Sequence, residues 1–162
     1  MIRAARTTDA ANIADLWNWM IRDTLWTFTS REKTTEEVAK LIDARPRHFL
    51  VHETEGVFQG FATFGPFRAG PGYRATCEHS ILVLPGHHGA GVGRALMEAL
   101  IAAAQADDFH VMIGAISSKN RPALDFHLKM GFEQVGYMPQ VGRKAGRWLD
   151  LILMQKNLTK RP

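Results

Sequence analysis

The sequence predicts a mixed α/β fold whose sheet is not fully parallel. Two observations predict it. Short apolar runs follow one another as hairpins joined by Gly-containing turns, and elsewhere similar runs alternate with helix-period segments. A chain of 162 residues, 46% of them hydrophobic, fits one domain spanning 1–162 and is long enough to bury a sizeable core.

Taken in order, Ile2–Ala5 reads as a short strand. Thr8-Asp9 reads as a helix cap, because Ile13, Leu16, Trp17, Met20 and Ile21 follow at helical spacing on one face. Residues 26–30 break that period and read as a loop. Thr34 and Glu37 form a capping box for a second helix with Val38, Leu41 and Ile42 as its apolar stripe, which Pro46 ends. Phe49–His52 and Val57–Phe64 are expected strands around Glu55-Gly56, and Gly65–Gly72 a loop. Thr76–Leu84 is expected as a strand, Pro85–Ala90 a turn, Gly91–Ala106 a long helix and His110–Ala115 a buried strand. Arg121–Met130 is an expected helix with Pro122 in its first turn, where the missing N–H costs nothing. Phe132–Met138 and Trp148–Lys156 close the chain as two strands around a Gly-containing turn.

Composition excludes several classes. The net charge is +4 with Lys and Arg scattered, so no basic track marks a nucleic-acid partner, while the mild positive balance suits an anionic ligand. Cys77 is the only cysteine, so no internal disulfide forms and a reducing compartment is favoured. Residues 1–6 lack the apolar core of a signal peptide, and no apolar stretch approaches the ~20 residues that span a bilayer. The expectation is a cytoplasmic protein with no membrane contact.

The most informative segment runs from Ile81-Leu82-Val83 through Pro85 to His88-Gly89-Ala90-Gly91-Val92-Gly93-Arg94. A strand enters a loop with three alternating glycines, which opens a helix. Small residues let backbone approach an anion, and the free N–H groups and positive dipole end of the helix can hold phosphate oxygens. Arg94 adds a charge-assisted contact. A P-loop is excluded, since Gly93-Arg94-Ala95 lacks the Lys-Ser/Thr ending. A dinucleotide fingerprint is excluded, since Leu96 stands where Gly or Ala is needed.

On these residues the chain resembles the GNAT superfamily of N-acetyltransferases, which carries Gln/Arg-x-x-Gly-x-Gly/Ala at such a junction. His88 replaces the usual Gln or Arg. The second motif of that family is similar to the run from Asn120 through Ala123 and His127 to Gly131-Phe132, with Asn120, Ala123 and His127 on one helix face. The resemblance implies a central, mostly antiparallel mixed sheet flanked by helices, with acetyl-CoA as cosubstrate. Its diphosphate would lie on residues 88–94, and its pantetheine arm against Asn120 and the backbone of Ile81, Leu82 and Val83. His127 would lie near the sulfur. Two further stretches, Tyr73–Val83 with Glu78-His79-Ser80 and Met138–Leu151, resemble the phosphinothricin and methionine sulfoximine/sulfone N-acetyltransferases. That implies an amino-acid-like amine as acceptor and a homodimer.

Acyl transfer to an ammonium needs a base, and a positioned carboxylate, often through one water, supplies it. Glu78 is the candidate, facing opposite to Cys77 and His79 on a regular strand. Backbone N–H groups near Leu82 or Val83 are candidates for an oxyanion, and His127 for protonating the thiolate. An acceptor carboxylate would be clamped by Arg68 or Arg74, with Phe28, Trp26, Gly72 and Tyr73 around it. Cys77, Glu78, His79, His87 and His88 lack the paired spacing of a metal site, and Cys77 has no evident base to make it a nucleophile. The competing functions are acetylation of protein N-termini, lysines or polyamines, or acetyl-CoA binding without catalysis.

Overall fold

The computed structural model describes residues 1–159, so the last three residues of the expected 1–162 domain lie outside the described part. Seven strands form one sheet in the order β1-β2-β3-β4-β5-β7-β6. They are β1 (Ile2–Ala4), β2 (Phe49–Thr54), β3 (Val57–Pro66), β4 (Thr76–Val83), β5 (Val111–Ser117), β6 (Glu133–Lys144) and β7 (Arg147–Asn157). Every neighbouring pair is antiparallel except β4 and β5. Four helices cover the sheet: α1 (Ala10–Asp23), α2 (Thr35–Ala44), α3 (Val92–Ala106) and α4 (Arg121–Lys129).

The period of two in the strands divides the core by face. Phe49, Val51, Phe61 and Leu82 pack with Ile13 and Leu16 of α1 and with Val38 and Ile42 of α2. The alternating residues Leu50, Ala62, Phe64, Cys77 and Met112 pack with Leu96, Met97 and Leu100 of α3. Truncating one such buried leucine to alanine costs about 2–5 kcal/mol, so both layers are firmly fixed.

The parallel pair is short, and this creates the opening of the molecule. β4 and β5 are paired only from Thr76–Glu78 to Val111–Ile113. Beyond that point His79–Val83 stays on β3 and Gly114–Ser117 stays on β7, so the two strands part. In a ladder the backbone groups of a strand alternate between its two sides. Those that point into the gap therefore have no strand partner.

The capping box is present: Glu37 N–H donates to Thr34 Oγ1 at 3.1 Å, and Thr34 N–H to Glu37 Oε2 at 2.9 Å. Three expectations are corrected. Asp9 does not cap α1 with its side chain. It accepts from Arg6 N–H at 2.7 Å and pairs with the Arg3 guanidinium at 2.8 Å, within a short 3-10 turn at Thr7–Asp9. β3 continues through Gly65 and Pro66, which pair with Glu78 and Cys77, so the loop begins later than expected. β6 runs on from Met138 to Lys144 across a register shift between Met138 and Gly142, and the connecting turn is only Ala145-Gly146.

Candidate active site

A cleft of about 690 Å³ follows the gap between β4 and β5. At one end it is lined by His87, His88, Gly89, Gly91, Gly93 and Arg94, and in the middle by His79–Val83 and Gly114–Ile116. Asn120, Ala123, Phe126 and His127 of the α4 region form its side, and Trp17, Trp19, Met20, Trp26 and Thr27 its far wall. The sequence motifs at 81–94 and 120–127, distant along the chain, thus line one space.

The glycine loop has the geometry an anion needs. Gly89 and Gly91 sit at φ 83° and 82°, a region where a side chain strains the backbone, and no atom lies within 4 Å of where a Cβ would stand. No side chain caps α3, so the amides of its first turn, Val92, Gly93 and Arg94, have no capping acceptor. Ala90 lies in the same exposed turn. Arg94 is exposed and only loosely paired with Glu98 at 3.6 Å. His88 lines this end of the cleft, and its Nε2–H donates to the Val83 carbonyl at 3.0 Å, joining the loop to the end of β4. Asn120 Oδ1 accepts from Ala123 N–H at 3.2 Å and caps α4, while its amide nitrogen has no recorded partner among the described residues.

Glu78 occupies the apex of the gap, in the last register pair that β4 makes with β5. Its side chain is opposite in sense to those of Cys77 and His79, which are buried, as strand alternation requires. Half-buried, it has no hydrogen-bond or ion-pair partner among the described residues, and burial alone pushes its pKa up. A carboxylate with no ion-pair partner and a raised pKa is suited to act as a base. The Cys77 thiol, pushed up to about 12 by burial, is inert as a nucleophile.

On the other face lie two imidazoles. His79 Nε2 and His127 Nε2 are 2.8 Å apart, His79 Nδ1 is 2.9 Å from the Ile113 carbonyl and His127 Nδ1 is 2.6 Å from the Ala123 carbonyl. Burial lowers the pKa of both rings.

The predicted acceptor-binding residues fall into two places. Phe28 packs against Gly142 of β6, where a Cβ would stand 2.2 Å from its ring. The loop carrying it and Trp26 is held by Lys144, whose ammonium donates to the carbonyls of Ile21 at 2.6 Å, Thr24 at 3.0 Å and Thr27 at 3.1 Å. Arg68, Tyr73 and Arg74 instead line a second hollow of about 760 Å³, and Gly72 sits in the exposed turn beside it. Arg45, which the sequence reading missed, lines that same hollow. Its guanidinium lies over Gly65, 2.5 Å from where a Cβ would be, and among the described residues its hydrogen bond is to Thr63 Oγ1 at 3.4 Å. Gly65 is the register partner of Glu78, which brings this half-buried cation to the neighbourhood of the apex carboxylate. No local pattern at the end of α2 announces it.

An antiparallel sheet broken by one parting pair of parallel strands, with an uncapped glycine-rich helix start at one end of the gap and a half-buried carboxylate at its apex, is the architecture of an acyl-CoA-dependent transferase. The chain belongs to the acetyltransferase (GNAT) family, whose model matches residues 13–132. It is 40% identical to the L-amino acid N-acyltransferase MnaT of Escherichia coli (strain K12), over 99% of this chain and 95% of the relative. It is 39% identical to an L-methionine sulfoximine/L-methionine sulfone acetyltransferase of Salmonella typhimurium, over 97% and 94%. It is 32% identical to a phosphinothricin N-acetyltransferase of Streptomyces coelicolor, over 97% and 95%. Among solved structures, an acetyltransferase from Salmonella typhimurium with its cofactor acetyl-CoA superposes with a TM-score of 0.93 at 38% identity, over 100% of this chain and 95% of that one. The chain is therefore an N-acetyltransferase that uses acetyl-CoA. The open glycine amides and the unpaired strand edges fit that cosubstrate. Among the described residues no group of three or more His, Cys, Asp or Glu is placed to hold a metal ion, and no helix is long and apolar enough to cross a membrane.

Proposed function

We propose that the enzyme transfers acetyl directly from acetyl-CoA to the α-amino group of a small amino-acid-like amine of the methionine sulfoximine, methionine sulfone or phosphinothricin type. The observation that carries this reading is the partnerless Glu78 carboxylate at the apex of the β4–β5 gap. There it can strip a proton from an incoming ammonium, directly or through one water. Gap-facing N–H groups of Ile81–Val83 would hold the thioester arm and stabilise the oxyanion, and the amides opening α3, with Gly89–Arg94, would hold the diphosphate. The far aromatic wall with Phe28 and Trp26 would enclose the acceptor. Its carboxylate would meet the cations of the second hollow, Arg45 nearest Glu78, with Arg68 and Arg74 at the rim and Gly72 and Tyr73 beside them.

Three arginines lining the second hollow disfavour a polycationic acceptor such as a polyamine there. The exposure of Arg68 and Arg74 keeps one rival reading, acetylation of a protein N-terminus at an open mouth. The relatives' small substrates and the near full-length match favour the free amino acid. The enzyme is further proposed to act as one domain, in the cytoplasm, as a homodimer, with neither nucleic acid nor membrane as partner.

Free thiol released from acetyl-CoA, measured over a panel of methionine sulfoximine, methionine sulfone, phosphinothricin, a peptide N-terminus and a polyamine, tests the reading. Turnover of the first three above the last two is expected. Turnover confined to the peptide or the polyamine, or absent throughout, overturns it.

A further inference from the structure

We propose that His79 and His127 hold a single proton between their Nε2 atoms and pass it to the thiolate as the acyl bond breaks, His127 acting as the catalytic donor and His79 as its positioning residue. The inference rests on the acetyl-transfer reading above, but the proton count beneath it does not. Ile113 O and Ala123 O are carbonyls, which only accept, so both Nδ1 atoms that touch them carry hydrogen. Neutral rings so arranged would point two bare lone pairs at each other across 2.8 Å. A hydrogen bond at that distance needs a third proton on the Nε2···Nε2 axis. Four ring nitrogens then hold three protons and one positive charge.

A second charge is disfavoured. Burial and the charge of His127 push His79 down to about 3, so the two rings titrate as one unit that carries no more than one charge over the ordinary range. The pair is enclosed, His79 being 7% and His127 3% exposed, with Phe126 and Phe132 against the rings. No charged side chain among the described residues hydrogen-bonds or ion-pairs with either ring, although Lys129 lines the same cleft. Glu78 of β4 is on the opposite face, Asp125 of α4 pairs with Arg121, Lys129 is exposed, and Lys156 of β7 donates to the Met130 carbonyl at 2.9 Å.

The pair nonetheless faces the gap. Gly114 is the first residue of β5 past its last pairing with β4. A Cβ there would stand 2.9 Å from His79 Cε1 and 3.3 Å from His127 Nε2, so its absence leaves the two ring edges open to the space where the strands part. In the reaction the acceptor nitrogen bonds to the acetyl carbon and the carbon–sulfur bond breaks. The sulfur takes the proton of the pair. Of the two protons the acceptor ammonium gives up, one recharges the pair and the other leaves to solvent through Glu78, so the balance is one thiol and one released proton per acetylated amine.

The test uses the full chain with its histidine rings labelled with ¹⁵N. Below the lowered pKa of the pair, both Nδ1 atoms protonated and one low-field ring proton associated with the two Nε2 atoms are expected, and that proton should vanish in His79→Gln. Two bare Nε2 atoms in the wild type overturn the proposal, and this readout needs no substrate. For His79→Gln the expected kinetic result is a kcat lower by about tenfold or more with KM for acetyl-CoA unchanged. Because the pair must be protonated, wild-type kcat declines as pH rises through its pKa, and the variant should lose that limb. If His79→Gln does not fold, Gly114→Ala, whose methyl forces the rings apart, replaces it with the same expectation. Unchanged kcat and an unchanged limb in the folded variant overturn the donor role. A shared proton in a wild type that acetylates none of the amines would instead count against the proposed acceptor class.

Discussion

Phe28 and Gly142 interlock next to the residues Trp26 and Thr27 that line the cleft: a Cβ on residue 142 would stand 2.2 Å from Cδ2 of the ring. Gly142→Ala therefore displaces the 26–28 loop rather than filling a void. Overpacking of this kind costs about 1–3 kcal/mol. The expected result is a KM for the acceptor raised about tenfold, a change of about 1.4 kcal/mol, with acetyl-CoA affinity unchanged. A Gly142→Ala/Phe28→Ala cycle should be strongly non-additive, as contact pairs are.

Lys144 of the same strand holds this loop by donating to three carbonyls and to no carboxylate. Lys144→Met keeps the stem and removes the donors. Loss of charge-assisted bonds of this kind costs about 1.5–3 kcal/mol each when fully made. The variant should show faster hydrogen exchange at residues 24–28 and a raised acceptor KM, whereas a purely surface role predicts neither.

The carboxylate of Asp9 is held below its ordinary range first by its hydrogen bonds with Arg3. Its folded pKa is depressed, so the pair stabilises the fold above the ordinary aspartate value and that contribution is lost as pH falls through the folded value. Asp9→Asn should lower stability by about 1–3 kcal/mol at neutral pH. The difference from wild type should vanish in acid, measured by urea unfolding at both pH values.

Much of this fold was legible in the chain. The stripes of α1 and α2, the Thr34–Glu37 box and the glycine junction are local patterns, and locality is what periodicity reads. The extension of β6 was not legible, because Pro139, Gln140 and Gly142 read as turn residues. Gln140 does have φ 55°, but it sits in the register shift of an edge strand, where such residues are tolerated. The site was half legible. Its motifs at 81–94 and 120–127 are contiguous in sequence, and the opposite senses of Glu78 and His79 follow from strand alternation. The position of Glu78 at the apex, the approach of Arg45 to Gly65 and the contact of His79 with His127 all depend on which strand lies beside which, and no window of sequence contains that. Arg68 and Arg74, expected from residue type to bind the acceptor, line the second hollow together with Arg45, which no local pattern marks.

Burial of Glu78 without a partner has a consequence for stability as well as for rate. Its folded pKa is raised, so the ionised form is disfavoured in the fold and stability falls as pH rises between the ordinary and the folded value. Glu78→Gln should then be more stable than wild type at neutral pH and no more stable in acid, a difference that melting curves at the two pH values resolve. In wild type the acid limb of kcat should lie above the ordinary glutamate value of about 4.3.

The sharpest measurement is the rate of thiol release by Glu78→Gln with acetyl-CoA and methionine sulfone, alongside calorimetric binding of acetyl-CoA to the same variant. If Glu78 is the base at the apex of the gap, binding stays at the wild-type level while kcat drops by about 10²–10⁴-fold and the acid limb disappears. A variant that binds acetyl-CoA and acetylates methionine sulfone at the wild-type rate contradicts that assignment.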